Sequence, residues 1–418
     1  MMNSPAVNGG NLIDDGPQAW RLWRAAIAGV PSTEGREFLL YTDAHPIGDT
    51  TDGLGPFQMF PTMADLMKTA LAPRIALRAH WRDAGDAPER SKTRIKKEGS
   101  RWIALNADDE IASLLSLILG VRIRSGGRVR TFTDDEPTGR PAYAEHAMPA
   151  LPIPAWNAPI LPGLEDMRVP LPYVKRLLPR YPQLQAQEAV TLVRAARHYA
   201  TALWVADNDP EQAWLQLVSA IETVAVQEAV AVDPAELFAE TYPDAAELVR
   251  GSGGDELLAK VAKHFKGLIG ASRGFLDFVE KYKPEPPSER PPTAVSRNLW
   301  DDSGALTPSF PETVTPVETR ADWDNLRPTL KTIYRHRSAL LHSGTPFPAD
   351  LCLPPTRIDG ISAERPLGRQ SSVGTTTWTA ADTPIHLHTF AHLTRGALLN
   401  WWTASTPSGD SPIPAVAV

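Results

Sequence analysis

The sequence predicts a mainly α-helical protein, in which a C-terminal helical bundle follows a smaller N-terminal α+β domain. Three observations predict it. From about residue 183 onward apolar residues recur every three to four positions, the period of helices buried along one face. Before residue 150, short alternating runs stand beside helical ones. Between the two, prolines recur every few residues from Pro141 to Pro182, as in "MPALPIPAWNAPILPGL", and exclude regular structure over much of that stretch. The chain therefore parses into a disordered lead (1–16), an α+β domain (17–150), a Pro-rich connector (151–182), a helical domain (183–405) with irregular insertions near 284–318 and 345–383, and a tail (406–418).

Composition narrows the function classes. Hydrophobic residues make up 42% and charged residues 22% of 418 residues, the balance of a soluble globular protein with room for two domains. The net charge of -7 gives no global electrostatic footprint for nucleic acid, so any such contact has to come from a local patch. Cys352 is the single cysteine, which excludes an intrachain disulfide and a thiolate metal site and fits a reducing, cytoplasmic setting. No apolar run approaches the ~20 residues of a membrane helix, and the first thirty residues lack the apolar core of a signal peptide.

Taken in order, Ala19 to Ile27 predicts a short helix with Trp20, Trp23 and Ile27 on one face, and Glu37 to Tyr41 a strand. Thr62 opens a helix carrying Met63, Leu66, Met67, Ala70 and Leu71, which Pro73 breaks. Asp86 to Gly99 is a charged loop whose Lys92, Arg94, Lys96 and Lys97 form the most basic run of the chain. It reads as a solvated loop, with an auxiliary RNA contact as the alternative.

Asn106 to Gly120 is a helix with Asp108, Asp109 and Glu110 at its positive end. Val121 to Arg124 and Val129 to Phe132 then predict a hairpin about Gly126-Gly127, with Arg122, Arg124, Arg128 and Arg130 on a polar outer face. Ile153, Trp156, Ile160 and Leu161 make the connector too apolar for a free linker. Gln185 to Asp207 and the segment opened by Asp209-Pro210 predict two helices joined as an αα-hairpin, the second burying Trp214, Leu217, Val218, Ile221 and Val224. After Asp233-Pro234 comes a capped helix, then two helical pieces that pause at Gly270. Pro384 begins the final helix, with Phe390, Leu393, Ala397, Leu398 and Trp401 apolar.

The chemistry concentrates in "NLRPTLKTIYRHRSALLHSG", Asn325 to Gly344. On a helix Leu330, Ile333, Tyr334 and Leu341 form an apolar stripe, and Arg337 lands inside it. A buried guanidinium without a partner costs several kcal/mol, so Arg337 requires a carboxylate or a bound anion. Glu222, one residue beyond the buried Ile221, is the candidate partner, against a plain solvent-facing role. Lys331, Arg335, His336, Arg337 and His342 form a local cationic patch, and Ser343-Gly344 stops the helix. His386, His388 and His392 invite a metal reading, but no carboxylate accompanies them, and surface or core-edge histidines are the plainer expectation. No GxxxxGK(S/T) loop and no GxSxG elbow is present.

Arg337-Ser338-Ala339-Leu340-Leu341-His342 resembles the R-x(4–6)-H signature of HEPN domains, and "IYRHRSALLHSG" looks most like the Apea-like branch of that superfamily. "LLSLILGVRIRSGG" resembles the segment upstream of the bundle in Apea-like proteins, and "AWLQLVSAIETVA" its second helix, where an acidic residue often stands at the place of Glu222. The resemblance implies a HEPN-type α-helical bundle that pairs as a homodimer through the motif helix. It also implies a metal-independent endoribonuclease without cofactor, leaving 2′,3′-cyclic phosphate and 5′-hydroxyl ends, as used in defence or stress response. Arg337 and His342 would then be catalytic: the imidazole moves protons and the guanidinium stabilises the anionic phosphorane. Lys331, Tyr334, Arg335 and Ser338 would contact RNA, and Glu222 would support Arg337. Two alternatives stay open: a non-catalytic module holding RNA or a nucleotide, and a structural role in which Arg337 is a buried ion pair and His342 a helix cap. The RNA, the trigger and any antitoxin partner are not legible.

Overall fold

A computed structural model describes residues 16–62, 73–82, 106–133, 135–141, 159–162, 168–228, 233–286, 321–358, 361–366, 371–374 and 376–406, with 147, 149 and 164. The described chain is mainly helical with an antiparallel sheet near its N-terminus. It divides after Asp209 into two compact units, the first of which also takes in the residues from Leu399 onward.

In the first unit, α1 (Gln18–Ile27) buries Trp20 and Trp23 but leaves Ile27 40% exposed. Its leading amides need acceptors, and those of Gln18 and Ala19 donate to the Glu110 carboxylate at 2.8 and 2.6 Å. Glu110 thus serves the positive end of another helix rather than its own.

The strands β1 (Glu34–Tyr41), β2 (His45–Ile47), β3 (Phe57–Pro61) and β4 (Pro73–Trp81) follow, then α2 (Ala107–Leu119), β5 (Arg124–Thr133), β6 (Glu136–Pro141) and β7 (Arg168–Pro170). Five of them form an antiparallel sheet in the order β3-β4-β1-β5-β6, and β2 pairs with β7 in parallel. Phe38, Leu40, Met59, Ile75, Leu77 and Ala79 bury one face of the sheet, and α2 is buried along nearly its whole length. Gly120 ends α2 in the left-handed region at φ 70°, as a C-terminal glycine does.

Pro73 opens a strand, the place where a missing amide is tolerated. Two expectations are corrected here. No turn occurs at Gly126-Gly127: β5 runs through both, and while β1 advances two residues from Phe38 to Leu40, β5 uses three, from Arg128 to Ser125. The extra residue is a bulge, which the glycines accommodate without reversing the chain; the reversal comes after Thr133, into β6. Arg122 is not on an outer face. It is 1% exposed, and donates to Asp43 Oδ2 and the Leu203 carbonyl, both at 2.8 Å, and to Asp207. The helix expected from Thr62 and the basic loop from Asp86 to Gly99 lie outside the described residues, as do the lead, the tail, Ile153 and Trp156.

Of the Pro-rich connector, Ile160 and Leu161 are buried and Leu171–Arg176 and Leu178–Gln183 form short 3-10 turns. The long helix α3 (Ala186–Val205) follows, with Gln185 and Glu188 in a capping box.

The second unit begins with α4 (Pro210–Glu228), which buries Trp214, Leu217, Val218, Ile221 and Val224. Next come α5 (Pro234–Thr241), capped by Asp233 through the Ala235 amide at 2.8 Å, and α6 (Pro243–Tyr282). The break in α6 lies at Gly253-Gly254, where Gly254 has φ 67° and ψ -169°; the helix runs on through Gly270, where a pause was expected. After α7 (Arg327–Ser343), the stretch expected to be irregular carries two small hairpins, β8 (Arg357–Ile358) with β9 (Ile361–Ser362) and β10 (Ser371–Val373) with β11 (Thr376–Trp378). That stretch also supplies core: Trp214 lies between Phe347 and Phe390, ring centroids 5.6 and 5.0 Å away, and donates to the Leu351 carbonyl at 2.9 Å. The last helix is α8 (Leu387–Ala404). No helix among the described residues is long and apolar enough to cross a membrane.

The three histidines at the head of α8 are core residues: His386, His388 and His392 are at most 3% exposed. Burial holds His386 down to about 3 and His388 well below the ordinary value. An unfolded histidine takes its proton near pH 6.5, so between about pH 3 and 6.5 the unfolded chain binds more protons than the folded one. Stability therefore falls as pH drops through that window, by up to ~1.4 kcal/mol per pH unit for each histidine. Thermal melting from pH 7 to 5 should show this slope, and His388→Leu should flatten it; an unchanged slope in the variant would refute the assignment.

Candidate functional site

The candidate site is built on α7, and helical geometry explains how its residues are dealt out. Pro328 sits in the first turn, where its missing amide costs nothing, and Gly344 closes the helix at φ 67°. The N-terminal boundary is Leu326 rather than Asn325, because Asp322 Oδ1 already holds the Asn325 amide in the preceding turn at 3.2 Å. At 100° per residue, Lys331, Arg335, Ser338 and His342 fall within an arc of about 60°. Lys331, Arg335 and His342 are exposed and Ser338 is half-buried. Arg337 lies on the inward side with Leu330 and Ile333, and Tyr334, about 40° from Ser338, is buried at the border between the two sides. Arg337 and His342, five positions apart, are separated by about 140° around the axis and so do not converge within one copy of the chain. Leu341, expected in the buried stripe, is 52% exposed because it falls on the last turn.

The inward group is held from α4. Arg337 Nη2 donates to Glu222 Oε2 at 2.7 Å, and the Tyr334 hydroxyl donates to Glu222 Oε1 at 2.9 Å. The side chains of Arg337 and Glu222 are 20% and 16% exposed. The guanidinium carbon also lies 5.5 Å from the Tyr334 ring centroid, and the ring packs on Phe275 of α6 at 5.3 Å. Burial, and then the Glu222 charge, raise the Tyr334 hydroxyl above its ordinary value, so it stays a donor. Arg337 Nε is buried and has no hydrogen-bond partner among the described residues, which leaves one donor of a charged group unsatisfied there. The pairing proposed for Glu222 is thus present, and the Tyr334 hydroxyl donates to the same carboxylate.

The outward group is different. Arg335 Nη2 binds Asp382 Oδ1 at 2.7 Å, so its charge is offset locally rather than left for a phosphate. The amide of Thr379, ahead of the Arg335 contact, helps to hold the Asp382 carboxyl below its usual range. His336 does not join the cationic patch. It is 6% exposed, its Nε2 lies 2.9 Å from the Asp382 carbonyl, and burial lowers its affinity for a proton. His342, on the last turn, has no hydrogen-bond or ion-pair partner among the described residues and stands free in solvent. Asp382 was not foreseen; the only signal was the Thr379-x-x-Asp382 capping pattern, which places it but does not name its partners.

Because the Glu222–Arg337 pair is only partly screened, its removal should be felt. A double-mutant cycle over Glu222→Gln and Arg337→Gln, read by urea unfolding, is expected to give a coupling of about 1 kcal/mol, between an exposed and a fully buried pair. A coupling near zero would mean that the two side chains do not interact in solution.

Among the described residues no group of three or more His, Cys, Asp or Glu side chains is placed to hold a metal ion. No protein-family model, curated protein or solved structure matches the chain.

Proposed function

We propose that the protein is a HEPN-type, metal-independent endoribonuclease in which two copies pair through α7. The observation that carries the reading is the sidedness of α7: a solvent-facing stripe of Lys331, Arg335, Ser338 and His342, backed by Arg337 clamped between Glu222 and Tyr334. One copy cannot bring Arg337 and His342 onto one phosphodiester, since they diverge around the helix. Apposing two stripes about a two-fold axis places two imidazoles in one cleft, one to take the 2′-hydroxyl proton and the other to protonate the leaving 5′-oxygen. Lys331 of the stripe is the cation that faces the phosphorane, while Arg337 holds α7 from its inner side through Glu222. Defence or stress response is the setting that the resemblance of the motif suggests.

The test is cleavage of bulk RNA by the purified chain in EDTA, with 2′,3′-cyclic phosphate and 5′-hydroxyl ends expected. Products with other ends, or cleavage that needs a metal, would reject the reading. Sedimentation should show a dimer that tightens with phosphate and loosens at high salt. A strict monomer at tens of micromolar, with or without RNA, would remove the composite cleft.

A second reading has its own support: Arg335 and Arg337 are both engaged by carboxylates of the same chain. A non-catalytic cleft that holds RNA or a nucleotide would show saturable binding, weakened by Arg337→Ala, with no turnover.

A further inference from the structure

The geometry points to a second nucleic-acid surface: the less buried face of the five-stranded sheet binds single-stranded nucleic acid, with unpaired bases stacking on Phe60 and Phe132 and phosphates meeting Arg78 and Arg130. This inference stands apart from the reading of α7.

Strand register assembles the face. Gln58, Arg78, Glu37 and Arg130 are direct cross-strand neighbours from β3 to β5, so their side chains rise on one side. The flanking rows on that side are Phe60, Ala76 and Leu39, and His80, Gly35 and Phe132. All of these alternate with the buried residues of the opposite face. Phe60, His80 and Phe132 are half-buried, Arg130 is exposed, and the Arg78 side chain is 43% exposed.

Gly35 sets the geometry of the platform. A Cβ built there would stand 1.9 Å from the Phe132 ring, so the ring lies down over the bare backbone and offers its other side outward. His80 meets that ring edge-on, at 90° and 6.3 Å between centroids. The Arg78 guanidinium carbon lies 5.1 Å from the Phe60 ring centroid and 5.8 Å from that of Phe132. Glu37 fixes it there through Nε at 2.7 Å, and Arg130 is oriented by the Thr138 carbonyl at 2.9 Å. Two arginines thus stand on either side of one carboxylate, with aromatic rings in the rows that flank them.

Separate rings flanked by guanidiniums suit flat, π-faced groups strung on an anionic backbone. Duplex bases are stacked on each other and cannot lie on the rings, so the surface selects single strands. A folded protein partner would instead want a continuous apolar patch, which the row of Arg78, Glu37 and Arg130 interrupts.

The test uses the full chain carrying His342→Ala, in EDTA, with fluorescein-labelled oligouridine followed by anisotropy. Single-stranded oligomer should bind more tightly than duplex of the same length. Phe132→Leu and Phe60→Leu, which keep apolar volume but remove the ring, should each weaken binding by about tenfold. Arg78→Gln should reduce the slope of log affinity against log salt by about one. Thermal melting reports the fold, and if Phe132→Leu fails to fold, Phe60→Leu decides. Affinity unchanged in the folded leucine variants, or equal binding of duplex and heparin, would overturn the inference. Ring-dependent binding without RNA cleavage by the parent chain would leave it standing and sink the nuclease reading; cleavage with no ring dependence would do the reverse.

Discussion

His342→Ala is expected to lower EDTA-resistant RNA cleavage by about 10²- to 10⁴-fold, the contribution of a positioned proton-transfer group. The fold should barely register the change. His342 is exposed on the last turn of α7 and makes no hydrogen bond there, so its removal forfeits only a favourable placement at the negative helix end, about 0.3–1 kcal/mol. Activity and stability therefore separate at this residue, which they do not at Arg337, where Ala removes an ion pair as well. Initial rates on a defined RNA, beside melting curves of both proteins, make the comparison. Full activity in folded His342→Ala would sink the assignment of the site, whatever else α7 does.

The largest effect on stability is expected at Arg122. Its guanidinium is buried and holds Asp43, Asp207 and the Leu203 carbonyl together, while Asp207 also accepts the Ile160 amide at 2.9 Å. Arg122→Met fills much of the same volume but strands two carboxylates with no cation. Removing one partner from such a cluster costs about 3–5 kcal/mol. Desolvation raises the Asp43 carboxyl even with Arg122 present, so the stranded group has a second way out, by taking up a proton. Arg122→Met should therefore be least damaging in acid, and adding Asp43→Asn should restore part of the loss at neutral pH. Urea unfolding at pH 7 checks both, and a loss below about 1 kcal/mol would mean that water reaches the cluster.

Local signals in the sequence placed several helix ends, though not the start of α7 or the break in α6. Gly120, Gly344, Pro210 and Asp233 ended or opened helices where their backbone chemistry demanded. The inward place of Arg337 followed from the same 3.6-residue period, and Glu222 from the buried face next to it. What failed depends on partners far along the chain. Gly126-Gly127 reads as a turn in isolation, and only the pairing with β1 turns it into a bulge. Arg122, in an alternating run, gives no sign of Asp43 and Asp207, and the periodic histidines of α8 give none of their burial. Asp382 reaches Arg335 across 47 positions. Period locates a face, but it does not say what stands opposite.

The break at Gly253-Gly254 bears on how the second unit comes apart. α5, the helical piece before the break and the turns just after it share a cluster of their own, built from Leu237, Phe238, Ala246, Leu258 and Ala262, while Leu248 is 73% exposed. Five buried side chains, two of them alanines, can contribute only a few kcal/mol. The glycines interrupt the ladder of helical hydrogen bonds inside this cluster, so packing alone holds its two sides together. In amide hydrogen exchange α5 and the start of α6 should therefore behave as a separate foldon, opening many times for each global unfolding, whereas Phe275, Phe278 and Val279 at the far end of α6 keep the protection of the core. A protease that samples such openings would find its first cut near the glycine pair and leave the Glu222–Arg337 clamp intact.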